Sequence, residues 1–114
     1  MDDCLFCKIV KKEIKADIVK ESQHAIAFKD INPIAPNHIL VIPKVHIESV
    51  ESLDNSNYYL ISEIAKLAND ISKHSLNSNN GSRWVINTGV EGGQTVFHLH
   101  LHLISGRKFS WPPG

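Results

Sequence analysis

The chain has 114 residues, 42% of them hydrophobic, and its 12 basic and 12 acidic side chains cancel to a formal net charge of zero. That length suits one domain spanning 1–114, with enough apolar side chains to bury a core unaided by disulfides. The charge balance excludes the basic footprint of a protein that grips a nucleic acid polymer, while leaving a small phosphorylated ligand open.

Met1-Asp2-Asp3 lacks the positive flank and apolar run of a signal peptide, and no apolar stretch approaches a bilayer span. The expectation is a cytoplasmic protein with no membrane partner. Cys4 and Cys7 are the two cysteines, spaced Cys-x-x-Cys. In a reducing compartment that spacing suggests a metal clip or a redox pair more than a structural disulfide.

Leu5, Phe6, Ile9, Val10 and Ile14 recur at helical spacing among Lys8, Lys11 and Lys12, which predicts a short amphipathic helix. Asp17 to Glu21 and Ala25 to Lys29 read as two brief strands of a hairpin, with His24 a surface residue of its turn. Asp30 to Asn37 holds two prolines and two asparagines and is loop chemistry. The apolar run from His38 to Pro43 predicts a buried strand, with Lys44-Val45-His46 as its exit.

Leu60, Ile61, Ile64, Leu67, Ala68 and Ile71 form one stripe opposite Glu63, Lys66, Asn69 and Lys73, the pattern of a long surface helix. Its start is expected near Asp54 to Ser56, any of which can cap it, and Asn77 to Gly81 should end it. His74, near the last turn, reads as a partner for the helix dipole. Arg83 to Asn87 predicts another strand, and a glycine-rich connection from Thr88 to Thr95 leads into a last strand, Val96 to Ile104. No repeat or low-complexity segment interrupts these elements. Together they predict an α+β domain: an antiparallel sheet of about five strands with one long helix and a short N-terminal helix.

The last strand carries the chemistry. Side chains alternate along a strand, so His98, His100 and His102 share one face and Leu99, Leu101 and Leu103 the other, the leucines packing on the long helix. Three imidazoles in five residues suit a metal site or a catalytic site better than a wetted face, where Thr, Lys and Glu are the common choices. The glycine loop just before them strengthens the catalytic reading. Gly92 and Gly93 let backbone N–H groups approach an anion, and Gln94 and Thr95 add side-chain donors.

His98-Leu99-His100-Leu101-His102-Leu103-Ile104 matches the His-x-His-x-His pattern of the histidine triad superfamily, with hydrophobic residues between the histidines. The chain resembles the Hint branch of nucleotide-binding hydrolases over nearly its whole length, through Lys8-Ile9, Ala27 to Ile31, Ala35 to His38, Leu40 to Lys44, Gly92 to Gln94 and Trp111 to Gly114. The resemblance implies that His100 is a nucleophile that attacks an α-phosphorus and is transiently nucleotidylated, with His102, His38 and Thr95 assisting at the phosphate. Thr95 stands where many relatives have serine. It further implies that Asn87, Gly93 and Gln94 line the phosphate end and that Asp30 accepts from the ribose hydroxyls. Leu5, Phe6, Ile9, Phe28 and Ile31 would sandwich a purine of AMP or GMP type, although for each of these ordinary core packing is an equal alternative.

Relatives bearing Cys-x-x-Cys resemble zinc-containing members in which Cys4, Cys7, His46 and His98 would bind one structural zinc, with no organic cofactor. The ending implies a homodimer in which Trp111 approaches the partner's site. The implied activity is hydrolysis of purine nucleoside 5′-phosphoramidates or acyl-nucleotides. Two alternatives stand beside it, a dinucleoside polyphosphate hydrolase and a nucleotide-responsive interaction module.

Overall fold

The computed structural model of the chain describes residues 3–76 and 80–114. Among these residues the elements run α1 (Leu5–Val10), β1 (Ile18–Glu21), β2 (Ala25–Lys29), β3 (Asn37–Pro43), α2 (Tyr59–His74), β4 (Arg83–Val85) and β5 (Leu101–Ser105), with a short 3-10 turn at Val50–Ser52. The five strands form one open sheet in the order β1-β2-β3-β5-β4, each neighbouring pair antiparallel. No helix among the described residues is long and apolar enough to cross a membrane.

Strand alternation sorts the sheet into two faces with two cores. Ala25, Ala27, Ile39, Val41, Leu101 and Leu103 meet Ile64, Leu67, Ala68 and Ile71 of α2. Alanines on β2 and on α2 itself leave room for the helix to lie close to the strands. On the opposite face Ile26, Phe28, Leu40 and Ile42 pack against Phe6 and Ile9 of α1. The expected leucine contact with the long helix is therefore present at Leu101 and Leu103.

Several boundaries differ from expectation. α1 ends at Val10, because Lys11 to Ile14 turn away and Lys12 adopts a positive φ of 63°. α2 begins at Tyr59 rather than near Asp54 to Ser56, since the Asp54 carboxylate accepts the backbone N–H and hydroxyl of Ser56 and so closes a separate turn. The helix finishes at His74, before the expected breaker, of which 77–79 lie outside the described residues. β4 stops at Val85, short of Asn87.

The largest departure concerns the histidine strand. Regular pairing starts only at Leu101, and residues 96–98 form a bend. The backbone there is committed elsewhere: the N–H of Leu99 donates to the Ile47 carbonyl at 2.7 Å, and the His98 carbonyl accepts the His100 ring at 2.7 Å. Of the three histidines only His102 belongs to the ladder, opposite Leu40 and Val85.

Ile71 is fully buried under the sheet. Ile71→Ala is expected to cost about 2–5 kcal/mol of unfolding free energy, the range for truncating a buried aliphatic side chain. Urea denaturation of the two proteins, with unchanged m-values, measures it.

Candidate active site and metal centre

The register of β3 against β5 sets His38 opposite Ile104 and His102 opposite Leu40, which makes the two histidines diagonal neighbours on the α1 face. Their rings lie 5.1 Å apart between centroids, and His38 Nε2 is 2.9 Å from His102 Nδ1. The His100 ring stands 5.0 Å from that of His102. The structure thus brings His38, His100 and His102 together.

Proton positions follow from partners whose roles cannot change. The backbone N–H of Ile34 donates to His38 Nδ1 at 3.2 Å, so in the neutral ring the proton sits on Nε2. That Nε2–H points at His102 Nδ1, with the Asp30 carboxylate 3.4 Å away. His102 Nδ1 is therefore an acceptor, and the proton of its neutral ring lies on Nε2. His100 Nδ1 donates to the His98 carbonyl, which leaves the Nε2 lone pair uncommitted to that bond.

Burial keeps these rings neutral. It lowers the pKa of His100 and of His38 below the usual imidazole value, opposed in both by the charge of Asp30. For His102, burial and the neighbouring His100 and His38 lower it to about 4. His100 thus has what a nucleophile requires, a neutral ring with one nitrogen anchored and the other carrying a lone pair.

The thiols form a second cluster. Cys4 Sγ accepts the Cys7 backbone N–H and caps α1, which places both thiols at the start of that helix. His98 Nδ1 lies 3.5 Å from Cys4 Sγ and 3.6 Å from Cys7 Sγ, and His46 Nδ1 lies 3.3 Å from Cys7 Sγ. A tetrahedral zinc, with its usual bonds to sulfur and nitrogen, would space such atoms about 3.6 Å apart. His98 is completely buried, and its Nε2 donates to the Pro43 carbonyl at 2.8 Å, so the Nδ1 lone pair faces the thiols. The four residues fit a closed zinc site. Burial, then the neighbouring Cys4, raises the Cys7 thiol above its ordinary range, a cost that a metal cation would reverse.

Asp30, His38 and His102 also bring three ligand-type atoms within 4.8 Å of one another. They do not suit a metal in the same way. The Ile34 N–H occupies His38 Nδ1, so the nitrogen facing the group holds a proton in place of a lone pair.

The glycine loop differs from the expected anion cradle. The N–H groups of Gly93 and Gln94 close turns onto Val90 and Gly89, and so are spent inside the loop. Gln94 is 4% exposed; its oxygen accepts the Gly89 N–H, and its nitrogen donates to the Glu48 and Val96 carbonyls. Its side chain shapes the loop instead of presenting donors to an anion. Thr95 is exposed and Asn87 half-buried. Gly92 is required by space, because a Cβ there would lie 2.3 Å from the Thr88 oxygen.

The residues expected to sandwich a purine divide. Phe6, Ile9 and Phe28 are buried in the core under α1, with Phe6 edge-on to Phe28 at 5.4 Å. Leu5 is 47% and Ile31 90% exposed. Asp30 spends one oxygen on the Asn32 N–H and holds the other near His38. Trp111 is 82% exposed, just beyond a tail anchor in which Arg83 and Arg107 flank the Phe109 ring and Arg83 holds the Ser110 carbonyl.

Residues 3–110 match the family profile described as "Scavenger mRNA decapping enzyme C-term binding". The chain is 44% identical over 113 residues to an uncharacterized HIT-like protein of Synechocystis, covering 99% of this chain and 98% of that protein. It is 40% identical over 112 residues to a 14 kDa zinc-binding protein of Zea mays, covering 96% and 87%. A HIT family hydrolase from Legionella pneumophila has the same fold, with a TM-score of 0.94, 43% identity and coverage of 98% and 100%. A Zn-bound histidine triad family protein from Mycobacterium smegmatis follows at a TM-score of 0.81 and 30% identity, covering 93% and 76%.

The buried imidazoles make stability depend on pH. Between the ordinary value of about 6.5 and the His102 value of about 4, the unfolded chain binds a proton that the folded chain does not. Unfolding free energy is expected to be level above pH ~6.5 and to fall steadily as pH drops toward about 4. Urea titrations across that interval should show the decline, and a His102→Asn protein should show a shallower one.

Proposed function

The chain belongs to the histidine triad family, and from that premise we propose that it hydrolyses purine nucleoside 5′-phosphoramidates or acyl-nucleotides through a nucleotidyl-histidine. The observation that carries the reading is the anchored His100 ring, with Nδ1 bonded to the His98 carbonyl and Nε2 free to attack. The likeness in fold and sequence to a HIT family hydrolase supports hydrolysis as the reaction type.

His100 Nε2 forms a bond to the α-phosphorus as the P–N or P–O bond to the leaving group breaks; the group departs with the bonding pair, an amine taking up a proton from solvent and an acyl group leaving as its carboxylate. His102 Nε2–H, set by the proton that His38 directs at His102 Nδ1, donates to the phosphoryl group. Water then forms a P–O bond and gives up a proton to solvent, the P–N bond to His100 breaks with its electron pair returning to Nε2, and a nucleoside monophosphate is released. Thr95 and Asn87 contact the phosphate, Asp30 takes the ribose hydroxyls, and the purine lies against Leu5 and Ile31 over the floor of Phe6, Ile9 and Phe28. Gly93 and Gln94 act through the shape of the loop.

Cys4, Cys7, His46 and His98 hold one zinc, which when bound is structural and ties α1 to the sheet. A homodimer fits the tail, because its anchor ends at Ser110 and leaves Trp111 free for a second subunit.

His100→Ala is expected to lower turnover of adenosine phosphoramidate by on the order of 10³-fold or more with the fold intact. Undiminished turnover would sink the assignment. A panel of leaving groups on the native protein separates the alternatives: preference for diadenosine polyphosphate would move the chain to that substrate class, and turnover of nothing would favour an interaction module. Elemental analysis should find one zinc per chain and little in a Cys4→Ser, Cys7→Ser double variant. A sedimenting mass of one chain at micromolar concentration would overturn the homodimer.

A further inference from the structure

We propose that the Cys4–Cys7–His46–His98 centre positions the nucleophile as well as tethering α1, so that its occupancy sets the aim of the His100 ring. The proposal rests on the reading of His100 as nucleophile.

The physical link is the peptide group between His98 and Leu99, a single planar unit. Its carbonyl accepts the His100 ring at 2.7 Å, and its N–H donates at 2.7 Å to the carbonyl of Ile47, the residue after His46. One rigid plane is thus held by the nucleophile on one side and by the loop carrying a zinc ligand on the other. The His98 side chain, attached to the same unit, reaches the thiols through Nδ1. Tilting His98 or shifting the 46–47 loop rotates the acceptor on which His100 depends.

A second link runs through α1. Phe6 lies between the two thiol residues on one helical turn, so it moves with them. Its ring meets His100 edge-on at 5.2 Å and 89°, and His98 at 6.0 Å. Releasing the thiols frees the aromatic wall on that side of the nucleophile. Core packing of Phe6 and Ile9 keeps this six-residue helix on the sheet, and metal bonds at its thiol end would fix the angle at which the Phe6 wall meets His100.

The test compares zinc-loaded wild-type protein with the same protein after chelation and after zinc is returned. Three quantities are read: helix content by circular dichroism, kcat and KM for adenosine phosphoramidate, and the 15N resonances of the His100 ring. The expected result is retained helix content, kcat lower by about tenfold or more with a much smaller change in KM, displaced or broadened His100 resonances, and recovery on adding zinc. Unchanged kcat and unchanged resonances in a folded, metal-free protein would overturn the proposal. Should chelation unfold the chain, Cys4→Asp keeps four donor residues. Loss of kcat with displaced His100 resonances in that folded variant at zinc concentrations that leave its weakened site largely empty supports the positioning role, and wild-type values for both at that measured low occupancy overturn it. Absence of turnover in zinc-loaded wild type would sink the hydrolase reading alone, since the resonances still report whether metal aims the ring.

Discussion

An imidazole can donate or accept through either nitrogen, so a group of several rings has many proton arrangements and few reactive ones. A backbone carbonyl only accepts and a backbone N–H only donates. In this protein three rings are each tied at one nitrogen to such a partner: His38 to the Ile34 N–H, His98 to the Pro43 carbonyl and His100 to the His98 carbonyl. His102 takes its state from His38. The four rings consequently have one arrangement in which every bond is satisfied, and it puts a lone pair on His100, a donor on His102 and a metal-ready nitrogen on His98.

Everything beneath these bonds serves to keep main-chain groups still. β3 supplies Pro43 and His38 from the middle of the sheet, where it is paired on both sides. α2 presses on the reverse face, and α1 closes the near face over the Phe28 and Leu40 layer. The Gln94 side chain fastens the glycine loop to the 48 carbonyl, so that the segment entering the histidine row cannot drift. Burial then does double duty: it rigidifies the rings, and it keeps them unprotonated.

Much of this was legible in the residues. The alternation of histidine and leucine placed Leu101 and Leu103 on the α2 face, though not Leu99, which lies before the regular strand, and the stripe from Leu60 to Ile71 marked the long helix. The resemblance to zinc-containing relatives with the Cys-x-x-Cys spacing named Cys4, Cys7, His46 and His98, the four residues whose ligand atoms lie together in the structure. What stayed hidden was mostly main chain. Nothing in the residue types of Ile34, Pro43, Ile47 or Glu48 marks them as hydrogen-bond partners, because every residue but proline has the same backbone groups. For the same reason the bend at 96–98 could not be seen, since a run of alternating side chains looks identical whether or not its amides are in a ladder. Gln94 was misread for a different cause: a glutamine beside two glycines signals an exposed donor, yet this one folds inward and spends its amide on the loop.

The two rims of the sheet are unequal. β1 has an irregular register between Ile18 and Lys20, with Lys20 reaching to Asp70 and Glu21 held by Lys12 and Lys44. Such a kinked, charged rim resists the addition of another strand. β4 is only three residues long but has a regular register with β5. A second copy joining along β4 would leave a β1 outermost at both ends of the enlarged sheet. Growth would then stop at two chains, and the irregular rim would act as a terminator that separates closed pairing from fibre formation.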